Sequence, residues 1–199
     1  MTAGSGSGAP ALASAPARLP DEARARVLLA RIAEPGDPAV AARLAEVGYL
    51  RVIEEVASGG AGRLARLRPR LERLREGGRW VDDAAIADRL GARILVPGDA
   101  DWPAGLDDLQ HPPHCLWVRG AVSLAAVCRR SVAIVGSRSA TAYGVDRSSE
   151  IAAGMCERGF AVVSGAAFGI DAAAHRGALA AEGVTVAVLA CGIDRPYPA

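Results

Sequence analysis

The sequence predicts an α/β chain: a Rossmann-like parallel sheet, truncated after about three core strands, preceded by a small helical domain. Three observations predict it. Apolar runs at Val132–Val135, Phe160–Val163 and Val184–Leu189 start 28 and 24 residues apart, the spacing of consecutive right-handed βαβ units. Each run ends in a glycine-containing turn: Gly136-Ser137-Arg138, Ser164-Gly165 through Gly169, and Cys191-Gly192. Upstream of Gly91, apolar residues recur instead at three- and four-residue spacing, a helical period. The strand runs are continuous rather than alternating, which predicts burial on both sheet faces. In a parallel sheet the glycine turns share one edge, the carboxyl ends of the strands, where ligands bind.

Composition narrows the class. A chain of 199 residues that is 51% hydrophobic can bury a core in one or two domains. A net charge of +1 imposes no global field toward nucleic acid. All 23 basic residues are arginine, a bias of the kind a GC-rich genome imposes, and arginine forks suit phosphate and carboxylate. Cys115, Cys128, Cys156 and Cys191 show no paired spacing and are expected to be reduced, mostly buried small hydrophobes. No apolar run spans a membrane and no secretory signal opens the chain, so a cytoplasmic location is expected.

Residues 1–19 hold few large side chains and are expected to form a disordered tail. Residues 20–91 are read as a helical domain. Asp21-Glu22 open its first helix, Pro35-Gly36 stop it, and Asp37-Pro38 cap the next. The helix, glycine turn and helix around Gly48 have the shape of a helix-hairpin-helix or sterile-alpha-motif-like bundle. Acidic neighbours Glu46, Glu54 and Glu55 favour packing over phosphate binding there. Leu64, Leu67, Leu71 and Leu74 give the arginine-rich stretch 63–79 one apolar face, leaving its arginines solvated on a helix or facing a polyanion. Asp82-Asp83 start a last small helix.

Residues 92–199 are read as a connector plus a partial Rossmann-like domain. The connector carries strands near Arg93–Val96 and Cys115–Val118, with a turn at Trp102–Leu106. His111 and His114 flank two prolines that bar one-turn helical ligation, and no metal site is expected. Helices are predicted over Tyr143–Arg158 and from Asp171 to about Glu182.

The turns exclude some ligands. A dinucleotide fingerprint needs glycines where Arg138 and Thr141 stand, Ser164-Gly165 replaces the ribose-reading acid, and no P-loop occurs. No cofactor is expected. The remaining residues suit an anion: Gly136, Ser137 and Arg138 offer amides, a hydroxyl and a guanidinium, and Ser164-Gly165 repeats the arrangement. Glycines that merely make tight βα turns would explain the same pattern. Asp171 and His175 lie one helical turn apart, but no nucleophile or third orienting group accompanies them, so a structural role is expected.

Three blocks carry a resemblance: Val132 to Arg138, Val163 to Leu179 with its Gly169-Ile170-Asp171 and Ala174-His175-Arg176-Gly177-Ala178 core, and Val186 to Asp194. Asp101-Trp102-Pro103 and Leu116-Trp117-Val118-Arg119-Gly120 extend it. Together they resemble the DNA-processing protein A (DprA, or Smf) family over roughly residues 20–199. The resemblance implies a non-catalytic protein that binds single-stranded DNA during natural transformation and helps load the RecA recombinase. It further implies a homodimer for the full-length family member and a DNA or phosphate site at Gly136, Ser137, Arg138, Ser164, Gly165, Phe168, Gly169 and Arg176.

Two departures stand out. Many family members carry a basic residue where this chain has Phe168, which either stacks on a base or packs beneath its loop. Family members also continue beyond the third strand, so a truncated form is expected, with an incomplete RecA surface and no RecA loading of its own. The competing readings are a Rossmann-like nucleoside-monophosphate hydrolase of the lysine-decarboxylase-like family and a nucleotide sensor; the hydrolase's Pro-Gly-Gly-x-Gly-Thr signature is absent.

Overall fold

The computed structural model describes residues 21–195 apart from Pro35, Gly77 and Gly78. The tail expected over residues 1–19 and the end at Pro198-Ala199 lie outside the described residues. The chain divides into two compact units: residues up to Asp99 with Gly105–Val118, and Ala100–Ala104 with Arg119 onward.

The first unit is built on α1 (Asp21–Ile32) and α2 (Pro38–Ser58). Asp37 caps α2 by accepting from the amides of Ala39 and Val40, and Pro38 takes the first helical position, where its missing N–H costs nothing. Gly48 interrupts α2 with φ 77°, ψ 174°, so the expected glycine break is present, although helix resumes at once. Leu28, Leu29 and Ile32 of α1 meet Val52, Ile53 and Val56 of α2 in the core. Each fully buried Leu or Ile contributes about 1.5–3 kcal/mol relative to exposure.

The leucine stripe joins that core, but not on one helix. Leu64, Leu67, Leu71 and Leu74 are all buried, on α3 (Gly62–Ala65), α4 (Arg68–Glu72) and the turns that follow them. The single helix expected over residues 63–79 is corrected by Pro69, which has no N–H for the Ala65 carbonyl and whose ring would strike it. Beyond α4 the chain is extended: β1 (Arg75–Glu76) pairs antiparallel with β2 (Arg79–Trp80). Asp82 then caps α5 (Asp83–Arg89), accepting from the Ala85 amide at 2.8 Å.

β3 (Ala92–Leu95) pairs with β4 (Leu116–Arg119), and most of this connector groups with the helices. A polar contact shows why: the Tyr49 hydroxyl meets His114 Nδ1 at 2.9 Å, the two rings stand edge to face, and the Arg26 guanidinium lies 4.0 Å from the Tyr49 ring centroid. Burial, and secondarily the Arg26 charge, hold the His114 imidazole below its ordinary pKa. The folded state therefore keeps His114 neutral, while the unfolded chain takes a proton near pH 6.5. This contribution is present above about pH 6.5 and is lost as pH falls through the folded value. Circular-dichroism melts should show wild type losing more stability between pH 7 and pH 5 than His114→Gln. Equal losses would remove His114 from the explanation.

The second unit contains the parallel sheet. Asp101 anchors α6 (Leu124–Cys128): its Oδ1 accepts from the Ser123 hydroxyl at 2.5 Å and from the Ala125 amide, beside the buried Trp102. The sheet follows: β5 (Ser131–Ala133), α7 (Ala142–Glu157), β6 (Ala161–Ser164), α8 (Ile170–Ala180) and β7 (Thr185–Ala187). Its strands run parallel in the order β5-β6-β7, in register Val132↔Val162↔Thr185.

A monotonic strand order with right-handed crossovers places both helices on the same sheet face. Accordingly Val132, Ile134 and Val162 pack with Ala152 and Cys156 of α7 and Ala174 and Ala178 of α8. The helices touch backbone to backbone at Gly177, where a Cβ would overlap the Ser149 carbonyl. The other face is open towards the carboxyl ends of the outer strands, where Val135 is 71% and Val188 65% exposed, whereas Ala161 of the central strand is buried. The double burial expected from continuous apolar strands is therefore corrected at Val135 and Val188, because both crossover helices lie on the opposite face. The cysteines also differ from expectation. Only Cys115 is buried, its thiol pushed up to about 12 by that burial, while Cys191 is exposed; all four are free.

Candidate nucleic-acid interface

The turns after β5 and β6 interlock around Ile170. Its amide donates to the Ser137 carbonyl at 3.2 Å, and its carbonyl accepts from the Ser148 hydroxyl of α7 at 3.1 Å. Its side chain fills the space over Gly136, where a Cβ would stand 2.7 Å from Ile170 Cγ1. Gly169, at φ 80°, ψ −123°, lets the second turn pass directly beneath the first, and a Cβ there would overlap the Ser137 carbonyl oxygen. These contacts hold the two turns as one body at the carboxyl edge of the sheet. The sequence singled out both turns but not Ile170, whose role appears only once 33 intervening residues have folded back.

The predicted site residues separate into groups. Gly136, Ser137 and Arg138 are exposed, and neither Ser137, Arg138 nor Ser139 has a side-chain partner among the described residues. Phe168 stands beside them on the second turn, 61% exposed. It does not pack beneath its loop.

Ser164 is only 2% exposed, and its hydroxyl donates to the Ile134 carbonyl at 2.6 Å, tying β6 to β5. Gly165 has its carbonyl taken by His175 Nε2 at 2.6 Å and sits against Asp171, whose Oδ2 would lie 2.5 Å from a Cβ. Arg176 is exposed on the body of α8, about 9 Å along the axis from Ile170 at 1.5 Å per residue. The structure thus gathers residues 136–139 with Phe168 and Gly169. It commits Ser164 and Gly165 to internal bonds and places Arg176 away from the turns.

The amides and charges sharpen this division. At the start of α8, Ile170 N–H bonds to Ser137 and Ala172 N–H to the Ala167 carbonyl, so two of its first amides are already used. Asp171, 8% exposed, puts a carboxylate in that first turn, where it complements the helix dipole. Its Oδ1 has no hydrogen-bond partner. An anion at the second turn would face this buried acid; an anion at the first turn would face Arg138.

His175 bonds to the neighbouring loop rather than to Asp171: Nε2 donates to Gly165, and Nδ1 meets the Thr185 hydroxyl at 2.7 Å. Both ring nitrogens are engaged in holding α8 to β6 and β7. No group of three or more His, Cys, Asp or Glu gathers among the described residues, and none of their helices is long and apolar enough to cross a membrane.

The sequence profile of DNA recombination-mediator protein A matches residues 93–199, which contain both turns and all three parallel strands. The chain belongs to that family. A DprA-named DNA processing protein of Mycobacterium tuberculosis is 43% identical over 188 residues, covering 89% of this chain and 48% of the relative. The Bacillus subtilis DNA processing protein DprA is 35% identical over 108 residues, covering 54% of this chain and 36% of that one. The crystal structure of DNA processing protein A from Streptococcus pneumoniae superposes with a TM-score of 0.63 at 25% identity, covering 90% of this chain and 61% of that one. The chain spans about half the length of its M. tuberculosis relative.

Proposed function

We propose that this member of the recombination-mediator A family binds single-stranded DNA at the joined turns and performs no chemistry on it. Residues 136–139 hold a backbone phosphate through loop amides, the Ser137 and Ser139 hydroxyls and the Arg138 guanidinium. Phe168 offers a neighbouring base a face on which to stack. Ser164, Gly165 and Gly169 shape this surface from within rather than contacting DNA. The observation that carries the reading is the exposure of Arg138 and Phe168 on two turns locked together by Ile170 and Gly169. A free cation beside a free aromatic matches a strand of alternating phosphate and base better than it matches a compact cofactor.

The engagement of both His175 nitrogens supports a protein without acid–base catalysis. The family's description as a recombination mediator supports a recombinase of the RecA class as protein partner; a homodimer acting in the cytoplasm during DNA uptake is part of the same proposal and rests on the family resemblance alone.

Arg138→Ala tests the phosphate contact. The dependence of log K on log salt should fall by about 0.7 for oligo-dT, with affinity reduced alike for oligo-dT and oligo-dC. Titrations by fluorescence anisotropy at several salt concentrations measure both. A sequence-selective loss, or an unchanged slope, would remove Arg138 from the phosphate role.

A further inference from the structure

We infer that the helical unit carries a second phosphate-binding surface, formed by Arg66, Arg68 and Arg73 and blind to base identity and strandedness. The inference rests on the reading that this protein binds DNA, and it adds a contact surface which that reading does not contain.

Charge distribution is the first ground. Between Arg63 and Arg75 stand six arginines and one glutamate, a net of +5 in a chain whose total is +1. The remaining residues hold 17 arginines against 21 acids, a net of −4. The sequence therefore concentrates positive charge in this stretch, and the fold brings Asp37 and Glu34 to two of its arginines.

Pairing is the second ground. Arg63 reaches Asp37 at 3.3 Å, Arg70 reaches the Ile32 carbonyl at 2.9 Å, and Arg75 reaches Glu72 at 3.7 Å. Arg66, Arg68 and Arg73 are exposed and have no partner among the described residues. Arg66 and Arg73 each precede a core leucine, Leu67 and Leu74, and Arg68 follows Leu67. Burial of those leucines fixes the backbone from which the three guanidiniums project. Three exposed, unpaired guanidiniums within eight residues attract a polyanion, which releases its own counterions on binding.

Side-chain chemistry selects the polyanion. Planar guanidinium forks fit phosphate oxygens bidentately. Leu64, Leu67, Leu71 and Leu74 are each no more than 9% exposed, so the stretch has no apolar anchor to sink into a lipid surface. Between Arg63 and Arg75 there is no aromatic residue on which a base could stack. A surface with cations and no stacking platform reads backbone alone, and so takes duplex as readily as single strand.

The test uses the full chain with Arg66, Arg68 and Arg73 changed together to Gln, and separately together to Lys. Anisotropy with oligo-dT, a mixed-sequence duplex and phosphatidylserine vesicles is followed across salt concentration. The Gln variant should lower the salt slope by about 2 on the single strand and about 2.7 on the duplex, with at least tenfold weaker binding at 50 mM salt. The Lys variant should retain most of the slope. If the Gln variant melts early because Arg68 lies over the Gly59 turn, the Arg66 and Arg73 pair alone should give two-thirds of the change. Unchanged slopes on both DNAs overturn the surface, as does a loss confined to vesicles. Retained oligo-dT binding by wild type, lowered by Arg138→Ala but not by the Gln variant, overturns this inference and leaves the proposed function standing. Binding of neither DNA by wild type overturns both.

Discussion

Replacing Gly169 by alanine should destabilise the parallel-sheet unit by roughly 2–5 kcal/mol and abolish DNA binding together with it. Two penalties combine. The backbone at φ 80°, ψ −123° is one that L side chains rarely adopt, and the new methyl would overlap the Ser137 and Arg138 carbonyls. Those carbonyls belong to backbone and cannot rotate away, so the first turn must move. Arg138 would move with it. For a chain of this size, 2–5 kcal/mol corresponds to a fall of roughly 5–15 °C in the melting transition. Gly98→Ala is the control: it has φ 95° but nothing within 4 Å of the added methyl, and should pay only the torsional cost. Scanning calorimetry of both variants separates the two penalties. Equal shifts would mean that the contact between turns carries no special weight.

Phe168→Ala should weaken oligo-dT binding by about 1–3 kcal/mol, roughly 5- to 150-fold, while leaving the melting temperature unchanged. The side chain is already 61% exposed, so its removal opens no cavity. Because the lost contact is a stack rather than an ion pair, the salt slope should stay where it was. Phe168→Arg should do the opposite, regaining affinity at low salt while steepening the slope by about 0.7. Isothermal titration with oligo-dT and with an abasic strand of the same length reads the difference. Wild type binding both strands alike would rule out stacking.

These residues show where the sequence was informative. The three strands were legible because branched apolar runs ending in glycine turns have few other uses, and the observed strands fall within about three residues of the expected ends. The Asp37 cap followed by Pro38, and the Asp82 cap, were equally plain because capping chemistry is local. The openness of the second sheet face was not legible. Residue type shows that Val135 and Val188 are apolar, but the side on which a crossover helix lies depends on strand order.

The internal bond of the Ser164 hydroxyl is not legible for a similar reason: its partner, Ile134, lies 30 residues away in the chain. The arginine-rich stretch mixed both cases. Its leucine period correctly marked the buried face, whereas one proline, Pro69, decided that the face would be built from two short helices. Phe168 could be resolved only in three dimensions, since an aromatic in a glycine-rich loop packs inward or outward according to whether space exists beneath it.

The central claim is that the joined turns recognise a strand of DNA rather than a free nucleotide. The most direct measurement is anisotropy of labelled oligo-dT with the unmodified chain, repeated in the presence of excess AMP, alongside an assay for AMP hydrolysis. The account predicts salt-sensitive oligo-dT binding, no displacement by AMP at concentrations that would saturate a nucleotide site, and intact AMP after prolonged incubation. Displacement of DNA by AMP, or release of adenine and ribose 5-phosphate, would contradict it.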